Sequence, residues 1–197
     1  MATTRETVLI RCAKDEGQDE DEVRLTIRKT HRAVINRQTS KKDGKRNALM
    51  VCCLRGFDSA VSDILNRGGR ADLIDLEGRS ALTHSTVQGH ARCLEAFLTF
   101  RSPPPEPSTA FPEIPLRVLI NIRDAYGFSP LHYAVGVVWS EFKGLRSAQS
   151  LPAMELLLRA GADPNNARAR VGGAAAQDAL GADEHVSHGK TPLHCAV

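Results

Sequence analysis

An all-helical solenoid of repeated helix pairs, interrupted by long loops, is the fold class this sequence predicts, and two observations carry it. First, Gly78-Arg79-Ser80-Ala81-Leu82-Thr83-His84, Gly127-Phe128-Ser129-Pro130-Leu131-His132-Tyr133 and Gly189-Lys190-Thr191-Pro192-Leu193-His194 align without gaps. Arg46 to Phe57 repeats the same order of small, apolar and glycine positions, and a weaker copy begins at Glu6. Second, the anchor leucines Leu9, Leu49, Leu82, Leu131 and Leu193 are separated by 40, 33, 49 and 62 residues, which are one 33-residue step with excesses of 7, 0, 16 and 29. Periods of this size are the mark of stacked supersecondary units. Helix-like apolar endings follow the anchors, as in Val61 to Asp72, Cys93 to Phe100 and Met154 to Asn165.

Composition agrees and excludes several classes. The 197 residues hold 42% hydrophobic and 25% charged side chains, ordinary values for a globular chain. A net charge of +3 makes too weak a field for nucleic acid to be the expected partner. No apolar run approaches the length of a membrane-spanning helix, and the first residues meet acids where a secretory signal would need a longer apolar core. Five cysteines without CxxC spacing, and no Asn-x-Ser/Thr acceptor, point to a reducing intracellular compartment, cytoplasmic or nuclear.

The motif Ser129-Pro130-Leu131-His132, its copy Thr191-Pro192-Leu193-His194, and Leu157-Leu158 followed by Gly161-Ala162-Asp163 resemble the ankyrin repeat family, whose unit is a β-turn and two helices. The resemblance implies an ankyrin-repeat solenoid with four repeats and the opening of a fifth. Its expected divisions are a divergent first repeat over 1–40, repeats over 43–73 and 74–101, a Pro-rich insertion over 102–117, a repeat over 118–165, a Gly/Ala-rich insertion over 166–187 and a repeat start over 188–197. The first departs most from the pattern, with Val8 and Ile10 at the Pro and His positions.

Each motif residue then has a physical task. Ser80, Ser129 and Thr191 stand where a hydroxyl caps a helix, and Pro130 and Pro192 follow where a missing N–H costs nothing. Cys12, Cys52, Cys53 and Ala134 fill a column of small residues between neighbouring helices. Gly56 and Gly89 end first helices, and Gly68 and Gly161 end second helices. Asp75 and Asp124, each three residues before a glycine, suit the turns linking repeats.

The insertions carry weaker signals. An acidic cluster (Asp15, Glu16, Asp19 to Glu22) precedes a basic run ending in Lys41, Lys42, Lys45 and Arg46; a helix with acids at its positive end and a solvated loop is preferred over a nuclear-import or acidic-partner patch. The second insertion holds six of the ten prolines. Arg101, Pro104 and Pro107 resemble a ligand of a polyproline-reading domain, against the commoner reading of a plain connector. Trp139, in the third, reads equally as local packing or as a partner anchor. His185 and His188, beside Asp183 and Glu184, read as solvated histidines and not as metal ligands.

Catalytic motifs (nucleophile elbow, phosphate loop, HExxH, zinc ribbon) are missing from the sequence, so no catalytic, cofactor-binding or metal residues and no cofactor are expected. His132 and His194 belong to the motif in which, as the resemblance implies, histidine makes structural hydrogen bonds, and His90 likewise completes a Gly-His pair. What the resemblance implies is a non-catalytic protein–protein binding scaffold, with the contact residues at turn tips and on exposed first-helix faces. By position these are Leu76, Glu77, Arg79, His84 and Gln88, then Ala125, Tyr126, Phe128 and Tyr133, with Trp139 added. The alternative is a regulatory segment of a larger enzyme or channel whose active domain lies beyond residue 197, because Val197 falls just inside a first helix. A small-molecule enzyme is a third reading with no motif behind it.

Overall fold

The computed structural model describes residues 7–100, 116–135, 150–166 and residue 191. The helices in chain order are α1 (Val8–Lys14), α2 (Glu20–Lys29), a short α3 (Arg32–Ile35), α4 (Ala48–Arg55), α5 (Asp58–Asn66), α6 (Ala81–Val87), α7 (Ala91–Thr99), a short α8 (Leu116–Leu119), α9 (Pro130–Val135) and α10 (Ser150–Arg159). Among the described residues there is no strand, only an isolated antiparallel bridge between Ile74 and Ser80.

Helices α1, α2, α4 and α6 start where short polar side chains capture free amide groups. Thr7 accepts from the Ile10 amide (3.2 Å), Asp19 from Glu22 (2.9 Å), Asn47 from Met50 (2.9 Å) and Ser80 from Thr83 (3.3 Å). Asp19 therefore opens α2, and Glu20, Asp21 and Glu22 crowd its positive end, as the charge pattern predicts. Helices α4 and α6 end at left-handed glycines, Gly56 and Gly89, whereas α1 ends on Asp15. At Gly56 (φ +75°) an added Cβ would lie 2.8 Å from the His90 ring, whose Nε2 donates to the Leu54 carbonyl at 3.3 Å.

Helices α1, α4, α6 and α9 form an inner row, and α2, α5, α7 and α10 an outer row. Each helix packs on its partner in the pair and on its equivalent in the adjacent pair. This nearest-neighbour packing defines a solenoid. One continuous core runs between the rows and includes Leu9, Leu49, Leu82, Leu131, Ile64, Leu94 and Leu157. Fully burying each such side chain contributes roughly 1.5–3 kcal/mol. Cys52, Cys53 and Ala134 are buried in the small column, whereas Cys12 is half-buried, accepting from the Thr26 hydroxyl at 3.6 Å.

Side chains also bind one pair to the next. Arg55, at the end of α4, donates to the Ala13, Asp15 and Gln18 carbonyls at 3.2, 2.6 and 2.8 Å and so holds the α1–α2 loop. Glu20 accepts from the Ala60 amide at 2.9 Å, capping α5, and Arg24 pairs with Asp63 at 2.8 Å. Asn36 donates to the Gly68 carbonyl (2.9 Å) and accepts from the Arg70 amide (2.7 Å). Asn121 does the same to Gly161 (3.3 Å) and Asp163 (2.8 Å). The two asparagines thus bracket equivalent turns after α5 and α10.

Candidate functional site

The turns that project between an outer helix and the next inner helix share one construction. Asp75 Oδ1 accepts from the Glu77 and Arg79 amides, both at 2.9 Å, and its own amide donates to the Arg79 carbonyl at 3.0 Å. Asp124 repeats this with Tyr126 (2.9 Å) and Phe128 (3.0 Å). In the preceding turn Thr39 replaces the aspartate, its Oγ1 accepting from the Arg46 amide at 2.9 Å while its amide donates to the Arg46 carbonyl at 2.8 Å. Backbone bonds run from tip to tip: the Leu76 amide donates to the Gly44 carbonyl at 3.0 Å, and Ala125 to Glu77 at 2.8 Å. At Gly78 (φ +75°) a Cβ would lie 2.9 Å from the Ala125 amide nitrogen, so glycine permits this approach.

The second oxygen of each aspartate faces the inner helix. Asp75 Oδ2 lies 2.9 Å from His84 Nε2 and 4.0 Å from Arg46 Nε, and Asp124 Oδ2 lies 3.5 Å from Arg79 Nε. Arg79 also pairs with Glu77 and donates to the Tyr133 hydroxyl at 3.2 Å, and that hydroxyl donates to Asp124. The Arg79 guanidinium sits 5.4 Å and 5.7 Å from the ring centres of Tyr133 and Tyr126. An arginine of one repeat therefore satisfies the buried aspartate of the next. Burial acts to raise the Asp75 pKa, but the His84 hydrogen bond and the Arg79 and Glu77 amides outweigh it, and the carboxyl sits below its usual range. Burial, reinforced by the Asp124 charge, pushes the Tyr133 phenol up.

This geometry corrects part of the sequence-based site. His84, expected on an exposed face, is 2% exposed and held by Asp75. Phe128 and Tyr133, expected likewise, are 6% and 3% exposed. Phe128 packs edge-on against His132 and Tyr133, with ring centres 5.8 and 5.7 Å apart. Arg79 is mostly buried, its side chain 11% exposed. Leu76 and Ala125 are exposed, and Glu77, Gln88 and Tyr126 are half-exposed. Trp139, the stretch Arg101 to Pro107, His185 and His188 lie outside the described residues. Arg46 stands out in the sequence only as part of a basic run, and Asn36, Asn121 and Arg55 not at all; Arg46 and Arg79 share the signal of an arginine directly before each cap residue.

His132 Nδ1 accepts from the Ser129 amide (3.1 Å) and hydroxyl (2.8 Å), which fixes its ring within the motif. Among the described residues no three His, Cys, Asp or Glu side chains are grouped to hold a metal ion, and no helix is long and apolar enough to cross a membrane.

Inner and outer helix rows, linked by projecting turns, define a repeat protein of the β-turn-plus-helix-pair class. A family model of ankyrin repeats, in three copies, matches residues 49–168, more than half of the chain. The chain belongs to the ankyrin repeat family, and as such is a protein–protein interaction module. No curated protein sequence matches it significantly.

Proposed function

We propose that the chain is a non-catalytic scaffold that binds its partner along the row of turn tips, with Leu76, Glu77, Ala125 and Tyr126 as contacts and Gln88 beside them. The observation carrying this reading is the pair of tip-to-tip hydrogen bonds, which line up exposed side chains on a rigid backbone. Leu76 is 58% exposed although it is apolar, and its amide is fixed to Gly44. Pre-ordered contact residues lose little entropy on binding. Several reactive groups among the described residues support the non-catalytic reading: His84 and His132 are buried and hydrogen-bonded to Asp75 and Ser129, and burial raises the Cys52, Cys53 and Cys93 thiols.

We further read α1 and α2 as a divergent first repeat, since they extend both helix rows ahead of the family match. Residues 43–73, 74–101 and 118–165 then form the next three repeats.

The test is affinity purification of the full chain from cells, compared with a Leu76→Asp/Ala125→Asp variant of unchanged thermal stability. Specific loss of a set of proteins is the expected result. Identical recovery by both chains would remove the tips from the interface.

A further inference from the structure

The first turn differs from the others in length and charge. Three residues (Leu76, Glu77, Gly78) separate Asp75 from Arg79, and three separate Asp124 from Phe128, whereas six separate Thr39 from Arg46. The additional length is a built finger. A 3-10 turn spans Lys41–Asp43, the Asp43 and Lys45 amides both donate to the Ser40 carbonyl at 3.1 and 3.0 Å, and Ser40 Oγ donates to the Asp43 carboxylate at 2.5 Å. Gln38 braces its base, donating to the Lys45 and Ile74 carbonyls at 2.8 Å each.

Lys41, Lys42 and Lys45 are all exposed, and among the described residues none of their ammonium groups has an ion-pair partner. Lys45 also stands in the left-handed region, at φ +56°, as the only such non-glycine among the described residues. The equivalent positions, two residues before the helix cap, are Gly78 (φ +75°) and Gly127 (φ +80°). Glycine adopts this conformation freely and lysine does not, so the ammonium at residue 45 is held there against a backbone preference.

We infer that the finger Ser40–Lys45 is the electropositive end of the tip surface and recognises an acidic peptide segment, one with carboxylates beside an apolar side chain. This rests on the interaction-surface reading above and specifies the partner's chemistry. The surface next to the finger decides for a peptide over a polyanion. Leu76 is 58% and Ile74 41% exposed, and the following tip offers Ala125 and Tyr126. A nucleic-acid backbone needs a continuing basic track, while a peptide needs charge followed by apolar contact.

The experiment selects a displayed random-peptide library on the full 197-residue chain, on Lys45→Gly, and on Lys41→Gln/Lys42→Gln/Lys45→Gly. Enriched peptides are then titrated at low and high salt, beside a duplex oligonucleotide. Wild type is expected to enrich peptides with Asp or Glu adjacent to an apolar residue, bound more weakly at high salt. The triple variant should bind them roughly tenfold less tightly. Lys45→Gly separates recognition from structure: it should unfold at the same or a higher temperature yet bind the acidic peptides less well. Enrichment without acidic bias, or acidic peptides bound equally by all three chains, overturns the finger and leaves the interaction surface standing. Failure to enrich any peptide overturns both. Tighter, lysine-dependent capture of the oligonucleotide assigns the finger to nucleic-acid backbones and overturns the peptide reading.

Discussion

His84 Nε2 meets Asp75 Oδ2 at 2.9 Å, with the two side chains 2% and 1% exposed, and the pair joins a projecting turn to the helix that follows it. The same nine-residue spacing recurs where Tyr133 donates to Asp124. A turn residue and an inner-helix residue are thus fastened to each other before either reaches solvent.

The Asp75 carboxylate makes stability depend on acid. Its pKa is depressed in the folded chain, so its contribution is present above the unfolded value near 4 and is lost as pH falls through the folded value. Asp75→Asn keeps the shape and removes the charge. It should cost about 1–3 kcal/mol at neutral pH, measured by urea unfolding, and markedly less near pH 3. An equal cost at both pH values would show that the charge is unimportant.

Arg79 couples two repeats, and its loss should exceed the loss of either bond alone. Arg79→Ala leaves Asp124 buried without its cation, at an expected cost of about 3 kcal/mol. Tyr133→Phe should cost about 1 kcal/mol. Because the two side chains share Asp124, a double-mutant cycle should show a coupling of about 1 kcal/mol, and strict additivity would contradict the network.

Two hydrophobic residues of the tips should separate cleanly. Phe128→Ala opens a cavity beside His132 and Tyr133 and should destabilise by about 3–5 kcal/mol. Leu76→Ala, at a side chain already 58% exposed, should change stability by about 0.5 kcal/mol or less. Chemical denaturation of the two variants decides it, and comparable effects would refute their placement.

Thiol chemistry should follow burial. Burial pushes the Cys93 thiol up to about 12 and also raises Cys52 and Cys53, while Cys12 is half-buried. Iodoacetamide at about pH 8 should therefore modify Cys12 well before Cys52, Cys53 and Cys93 in the native chain, and these four alike in urea. Peptide mapping by mass spectrometry reads the order. Early modification of Cys52 or Cys53 would mean that α4 opens on its own.

Much of the fold was legible because its determinants are local. The 33-residue step between Leu49 and Leu82 was readable as spacing, and the cap residue Ser80, the left-handed glycines and the Asp-x-x-Gly turns each act within a few residues. The buried anchors Leu9, Leu49, Leu82 and Leu131 follow from the same periodicity. The acidic cluster was also readable as a helix start, although Glu20 reaching across to cap α5 was not.

The site was legible only in outline. By itself the sequence determined a helix-pair solenoid, its register and the position of its turns, since these follow from spacing, capping and backbone preference. Tertiary structure decided which side chains at those turns remain available. His84, Phe128 and Tyr133 looked exposed by position and are buried: Asp75, Asp124 and Arg79 supply the polar partners that His84 and Tyr133 need, and the Phe128 ring packs on His132 and Tyr133. Those partners come from a different element or the neighbouring repeat, 45 residues away between Arg79 and Asp124, a separation set by an insertion and by no periodicity. Lys41, Lys42 and Lys45 looked like an ordinary solvated run, and only the stacking of turns shows them raised on a finger beside an exposed leucine.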